Sequence, residues 1–191
     1  MAVSRTSHQG FTLIELMVTI AIAAILLTIG VPSLTSFFDR QKVVAAAEAV
    51  YSNITLAKSL SISSNQDVTF KLFNYDADTK GYFGITDKKI SAYASECRDG
   101  VGLNDLKVDD MTYKVTADKH EGITYKIGGD SSLRAWCVQF DGVRGSVTTY
   151  SNSGAKYYVV VTYDDLDMQV QVSKLGRIKI CSNDVGGYSS C

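Results

Sequence analysis

The chain has 191 residues, 46% of them hydrophobic and 20% charged, with a formal net charge of −1. That length supports one domain with its own core and is short for two, while 15 Gly and a single Pro exclude collagen-like and proline-rich disordered classes. The near-zero charge argues against a bulk field that gathers nucleic acid or anionic lipid, and two histidines, His8 and His120, leave little material for histidine catalysis or a zinc site.

The first residues, MAVSRTSHQG, are polar and carry one full charge, Arg5. From Phe11 to Phe38 the only charged residue is Glu15, and the run FTLIELMVTIAIAAILLTIGV has about the ~20 residues a helix needs to cross hydrocarbon. A basic residue on the short flank predicts a cytoplasmic N-terminus, with the remainder outside the inner membrane of a bacterium. A secretory signal peptide needs a small-residue cleavage site after its apolar core. Gly30-Val31-Pro32-Ser33 is a poor one, and helical patterning continues past it. A plain anchor accounts for the length but leaves Glu15 unexplained, because a carboxylate in lipid is costly unless paired or neutralised.

Gly10-Phe11-Thr12-Leu13-Ile14-Glu15, followed by an uncharged helix, resembles the processing site of type IV pilins and type II secretion pseudopilins. The resemblance implies cleavage by a prepilin peptidase between Gly10 and Phe11 and N-methylation of Phe11. It also implies pairing of Glu15 with the terminal amine of a neighbouring subunit during assembly. Elementary electrostatics agrees, since the cut leaves an ammonium one helical turn from Glu15, and a neighbour's amine neutralises a carboxylate in lipid. The anchor MVTIAIAAILLTIGVPSL, the junction LAKSLSISSNQDVTF and the late strand GRIKIC narrow the resemblance to minor subunits of the FimT/GspH type. It covers residues 10–72 most closely, is patchy from 73 to 165, and returns at the C-terminus.

Pro32 cannot donate to the carbonyl of Thr28 and crowds that turn, so a kink or local melting is expected at Gly30–Pro32. The resemblance implies the same, since related subunits often loosen this part of the helix inside a filament. Beyond Asp39-Arg40-Gln41-Lys42 the pattern becomes amphipathic, with Val43, Ala47, Val50, Ile54 and Ala57 on one face. Ser61-Ile62-Ser63-Ser64-Asn65 then supplies stop signals. A helix from Phe11 to about Ser63 is roughly 80 Å long at 1.5 Å per residue; its second half can lie on a domain of this size and its first half protrudes.

From Asp67 onward the pattern alternates. Val68, Phe70 and Leu72 alternate with Thr69 and Lys71; Ile123, Tyr125 and Ile127 with Thr124 and Lys126; Trp136, Val138 and Phe140 with Cys137 and Gln139. Tyr157, Val159, Val161 and Tyr163 form one face of a longer strand, and Met168, Val170 and Val172 one face of the next. These read as half-buried strands, with residues 95–120 as loop carrying an edge strand or two. The expected class is α+β, a long helix packed on antiparallel sheets. The expected division is a leader over 1–10, a membrane or filament-core helix over 11–38, its amphipathic half over 39–64 and a β-rich periplasmic head over 65–191.

Cys97, Cys137, Cys181 and Cys191 lack C-x-x-C spacing, and outside the inner membrane disulfides are the default. Of the possible connectivities, Cys97–Cys137 with Cys181–Cys191 is favoured, the second closing the NDVGGYSS segment. Zinc fits poorly, because only His120 could join the thiols.

No P-loop, G-x-S-x-G or H-E-x-x-H occurs, so the chain reads as no enzyme, with no cofactor and no small-molecule substrate. His120 reads as a solvated turn residue, and Asp109-Asp110 and Asp164-Asp165 as loop ends. Asp76, Asp78, Gly81 and Asp87 fall at calcium-loop spacings, but Lys80 puts a cation where a ligand oxygen belongs. A hairpin loop between the strands FKLF and YFGIT explains that segment better. The sharper candidate is Gly176-Arg177-Ile178-Lys179-Ile180-Cys181. Alternation puts Ile178 and Ile180 toward the core and projects Arg177 and Lys179 together from the other face, with Lys174 just before them. This resembles the G-R-x-R element through which FimT-type pilins contact DNA, with Lys179 in place of the second Arg. Removing Arg5 from the 19 basic residues and Glu15 from the 20 acidic ones leaves 18 against 19 from Asp39 onward, so any DNA contact would be weak and salt-sensitive.

The expected function is that of a minor pilin or pseudopilin in a type IV pilus or type II secretion pseudopilus, with a role in initiation or tip assembly beside other minor subunits. Its expected partners are the prepilin peptidase, other major and minor pilins, and inner-membrane lipid before assembly. The rival reading is a receptor for double-stranded DNA on that filament, serving DNA uptake.

Overall fold

A computed structural model of the chain describes residues 11–73, 82–88, 106–116, 120–128, 135–151 and 158–191, with backbone alone at 29–33 and 149–151. The chain divides into two units, meeting between Asp39 and Arg40.

One helix, α1 (Leu13–Ser64), supplies the described part of the first unit and continues into the second. Its start is written locally. Thr12 stands at the N-cap, its Oγ1 accepting the Glu15 amide at 3.3 Å, the half of a capping box that a Thr-x-x-Glu sequence provides. The end is equally local. Asn65 adopts a φ of 52° and the Gln66 amide donates to the Ser61 carbonyl at 3.2 Å, so a left-handed residue turns the chain back onto an orphan carbonyl. The helix is continuous through residues 29–33.

In the first unit the apolar side chains stand in the open. Phe11 is 86% exposed, and Leu13, Ile14, Leu26, Leu34, Phe37 and Phe38 are all exposed as well. Among the described residues no helix is long and apolar enough to cross a membrane.

The second unit buries the other half of α1. Val43, Ala47, Val50, Ile54 and Ala57 are fully buried, and Ala46 with them. They join one core with the inward residues of two antiparallel sheets. The strands are β1 (Val68–Phe73), β2 (Tyr82–Thr86), β3 (Lys107–Val108), β4 (Met111–Thr112), β5 (Lys114–Thr116), β6 (Thr124–Ile127), β7 (Ala135–Phe140), β8 (Val147–Ser151), β9 (Tyr158–Tyr163), β10 (Leu166–Val172) and β11 (Ile178–Cys181). A five-stranded sheet has the order β5-β2-β1-β7-β8, a four-stranded sheet the order β11-β10-β9-β6, and β3 pairs with β4 alone. The architecture is α+β, a helix packed on antiparallel sheets.

Alternation reads well on the four-stranded sheet, where Met168, Val170 and Val172 are buried and the residues between them only partly so. It misreads the centre of the other sheet. β1 lies between β2 and β7, and every one of its residues is buried, Thr69 and Lys71 included. The expectation that Thr69 and Lys71 face solvent is corrected: a central strand covered on both faces has no solvent side. Lys71 is accommodated partly by the ring of Phe73, its ammonium 3.9 Å from the ring centroid. β7 behaves alike, with Cys137 and Gln139 as buried as Trp136, Val138 and Phe140.

Candidate functional site

Two regions carry the residues singled out by sequence, and they lie in different units.

In the first, Phe11 and Thr12 precede α1, and Glu15 stands exposed in its first turn. A carboxylate there faces the positive end of the helix dipole. Two hydroxyls of the apolar stretch are satisfied within the helix: those of Thr19 and Thr28 donate to the carbonyls of Leu16 at 2.8 Å and Ile25 at 2.7 Å. A helix so arranged presents hydrocarbon outward and withholds its hydroxyls from the surroundings. Gly10 lies outside the described residues.

The second region is the hairpin turn between β10 and β11. The Ser173 amide donates to the Arg177 carbonyl at 2.9 Å, and the Gly176 amide to the Ser173 carbonyl at 2.8 Å. The Arg177 amide donates to Ser173 Oγ at 3.0 Å. Lys174, Arg177 and Lys179 are all exposed. Ile178 and Ile180 pack against the core from the other face of β11.

This turn does not stand alone. The turn joining β7 to β8 lies beside it, with the Val147 amide donating to the Lys174 carbonyl at 3.0 Å. From α1, Lys58 Nζ donates to the Gly176 carbonyl at 2.9 Å. The neighbouring turn is held by Asp141, which accepts from the Val143 amide at 2.8 Å, the Arg144 amide at 3.2 Å and the Ser146 hydroxyl at 3.2 Å. The Val143 amide leads in holding the Asp141 carboxyl below its ordinary value, with the Arg144 amide, the Ser146 hydroxyl and the Arg144 charge adding to it. A lowered folded value means that this contribution is complete above the ordinary carboxylate range and fades as pH falls through the folded value. Acid melting should therefore separate wild type from Asp141→Ala at neutral pH and bring them together at low pH.

Sequence reading finds Lys174, Arg177 and Lys179 and misses Lys58 and Arg144. Arg144 sits in Asp141-Gly142-Val143-Arg144-Gly145, whose glycines signal a turn, but nothing in the spacing says which other turn it meets.

The C-terminal segment is tied down beside β11. Cys181 and Cys191 form a disulfide with Cα atoms 5.1 Å apart, and the Tyr188 hydroxyl donates to Glu48 Oε1 of α1 at 3.0 Å. Cys137 is disulfide-bonded; Cys97 lies outside the described residues. In the chain-entropy account so short a loop contributes about 2–3 kcal/mol, so the double variant Cys181→Ser/Cys191→Ser should lose that much in denaturant unfolding. A loss under about 0.5 kcal/mol would show the segment to be held by packing alone.

Of the calcium-loop residues, Asp76, Asp78 and Gly81 lie outside the described residues. Among the described residues no cluster of His, Cys, Asp and Glu could hold a metal ion.

The prokaryotic N-terminal methylation motif matches residues 5–31. Two crystal structures of the type IV minor pilin FimU from Pseudomonas aeruginosa are similar in fold. One is 15% identical with a TM-score of 0.47, covering 75% of this chain and 91% of that one. The other is 14% identical with a TM-score of 0.42, covering 71% and 90%. No curated protein matches significantly. The motif covers the N-terminal segment alone, and the rest of the chain has no family match of its own.

Proposed function

We propose that this chain is a minor pilin or pseudopilin. It is made as an inner-membrane precursor, cut by a prepilin peptidase between Gly10 and Phe11, N-methylated at Phe11 and inserted into a type IV pilus or type II secretion pseudopilus. The observation that carries the reading is the methylation motif over residues 5–31 followed by an apolar helical surface left uncovered. An apolar surface of that extent calls for a cover, and lipid before assembly and neighbouring helices after it both supply one. Glu15 pairs with a neighbour's terminal ammonium, which removes the cost of a carboxylate in that setting. Gly30 and Pro32 mark the bend where the helix leaves lipid. Outside the inner membrane, Cys97–Cys137 and Cys181–Cys191 close as disulfides.

Mass spectrometry of the chain recovered from its own cells tests this: a mature N-terminus at Phe11 carrying one methyl group is expected. A Gly10 variant should accumulate at full length, and a Glu15→Leu variant should be processed yet left out of filaments. Normal processing and incorporation of both variants would overturn the proposal.

A second reading is favoured by the exposed Lys174, Arg177 and Lys179, which suit the phosphates of double-stranded DNA. It predicts that Arg177→Ala/Lys179→Ala lowers DNA uptake and gel-shift affinity while filaments form normally. Full uptake by that variant removes it.

A further inference from the structure

The four-stranded sheet carries opposite charge at its two ends. At one end the tight turn between β9 and β10 presents Asp164 and Asp165, both exposed, with Asp164 at a φ of 53°. Asp184 is beside them, exposed, its Oδ2 accepting the Asp167 amide at 3.2 Å. Exposed Glu121 is adjacent, because the following Gly122 packs on Tyr163, where a Cβ would lie 2.7 Å from the ring. The cation at this end, Lys42, donates to the Tyr163 hydroxyl at 2.6 Å and covers its ring.

At the other end, about 20 Å away along the seven residues of β10, the two joined turns present Arg144, Lys174 and Arg177, all exposed. The acids there, Asp141 and the half-buried Asp67, already accept hydrogen bonds from this turn, Asp67 from the Gly142 amide at 3.4 Å. Val143 and Leu175, 75% and 85% exposed, stand among these cations as apolar tips. Among the described residues, no ion pair engages Asp164, Asp165, Lys174 or Arg177.

We infer that the basic end, Arg144, Lys174 and Arg177, docks on the acidic end, Asp164 and Asp165, of a second copy of this chain. The complementarity lies between the ends of one molecule, so the contact is heterologous and leaves a free end of each sign on every pair. Such contacts propagate instead of closing. α1 passes the acidic end at Lys42 and the basic end at Lys58, so copies stack along the helix, the direction in which a filament grows. The inference rests on the filament reading and deepens it by naming the surfaces that meet.

The test uses the full chain in detergent micelles and sedimentation equilibrium at low salt. One variant reverses the basic end (Arg144→Glu, Lys174→Glu, Arg177→Glu) and another the acidic end (Asp164→Lys, Asp165→Lys). Association through the apolar helix is the same in every arm. Each variant alone should self-associate at least ~tenfold more weakly than wild type, and a mixture of the two should recover wild-type affinity, because opposite ends then meet between them. Unchanged association in either variant, or a mixture that stays dissociated, overturns the proposal. So does loss with the basic reversal only, which marks that end as a site for an outside polyanion such as DNA. Cleavage at Gly10 is read separately by mass, so the two readings can fail independently.

Discussion

Trp136→Ala is expected to cost the second unit about 3–5 kcal/mol, close to the whole stability of many domains. Trp136 is fully buried on β7 and meets Phe70 of β1 edge to face, with centroids 5.9 Å apart. Phe70 in turn packs on Phe83, and Phe83 on Tyr125, so one ring links β7 through β1 and β2 to β6 of the other sheet. Removing it leaves a cavity where the two sheets and the helix converge, and the neighbours, themselves in a close-packed core, can collapse only partly. Trp136→Phe should be far milder. The indole Nε1 is buried with no hydrogen-bond partner among the described residues, a burden of about 1–3 kcal/mol that phenylalanine relieves while losing some area. Thermal unfolding reads both, at roughly 2–4 °C per kcal/mol for a unit of this size. Equal losses for the two variants would mean that the indole nitrogen is paired after all.

Gly176→Ala is the second large effect. Gly176 has a φ of 71°, a region that costs an L-residue about 1–2 kcal/mol. A Cβ there would also collide with the Gly145 carbonyl oxygen and lie 3.3 Å from Lys58 Nζ. The obstruction on one side is backbone, held by the Asp141 turn, so the hairpin must move outward. Outward movement breaks the Lys58 to Gly176 bond and the Val147 to Lys174 bond together. The expected result is a loss of about 2–3 kcal/mol, with faster hydrogen exchange at Val147 and Gly176 and little change at β1. Self-association should weaken too, because Arg144 leaves the register of Lys174 and Arg177. A variant that melts like wild type would show that the two turns are not in contact.

The glycine of the GRIKIC segment therefore has a structural reason that does not depend on nucleic acid. It is the point where two turns and the helix touch. Arg177 and Lys179, which share no such constraint, are the residues on which a binding role has to be tested.

Much of this molecule is local and was legible. Charge absence between Phe11 and Phe38, the helical repeat from Val43 to Ala57 and the stop at Ser61–Asn65 each depend on residues within a turn or two of one another, and chain order reveals such relations. The strand alternation of β6, β10 and β11 is legible for the same reason, since those strands have one face on the core. Lys71 and Thr69 were misread because their burial depends on which strands lie alongside β1, a non-local matter. The pairing of the Asp141 and Ser173 turns, the lysine reaching across from α1 and the separation of acidic and basic ends are also non-local. They are set by strand order and by the packing of helix on sheets. Sequence by itself determined that an uncharged helix leads into an amphipathic one and then into strands, because period and composition are properties of neighbours in the chain. Only the tertiary structure decided which charges share a surface, because that depends on which distant turns the closed core brings together.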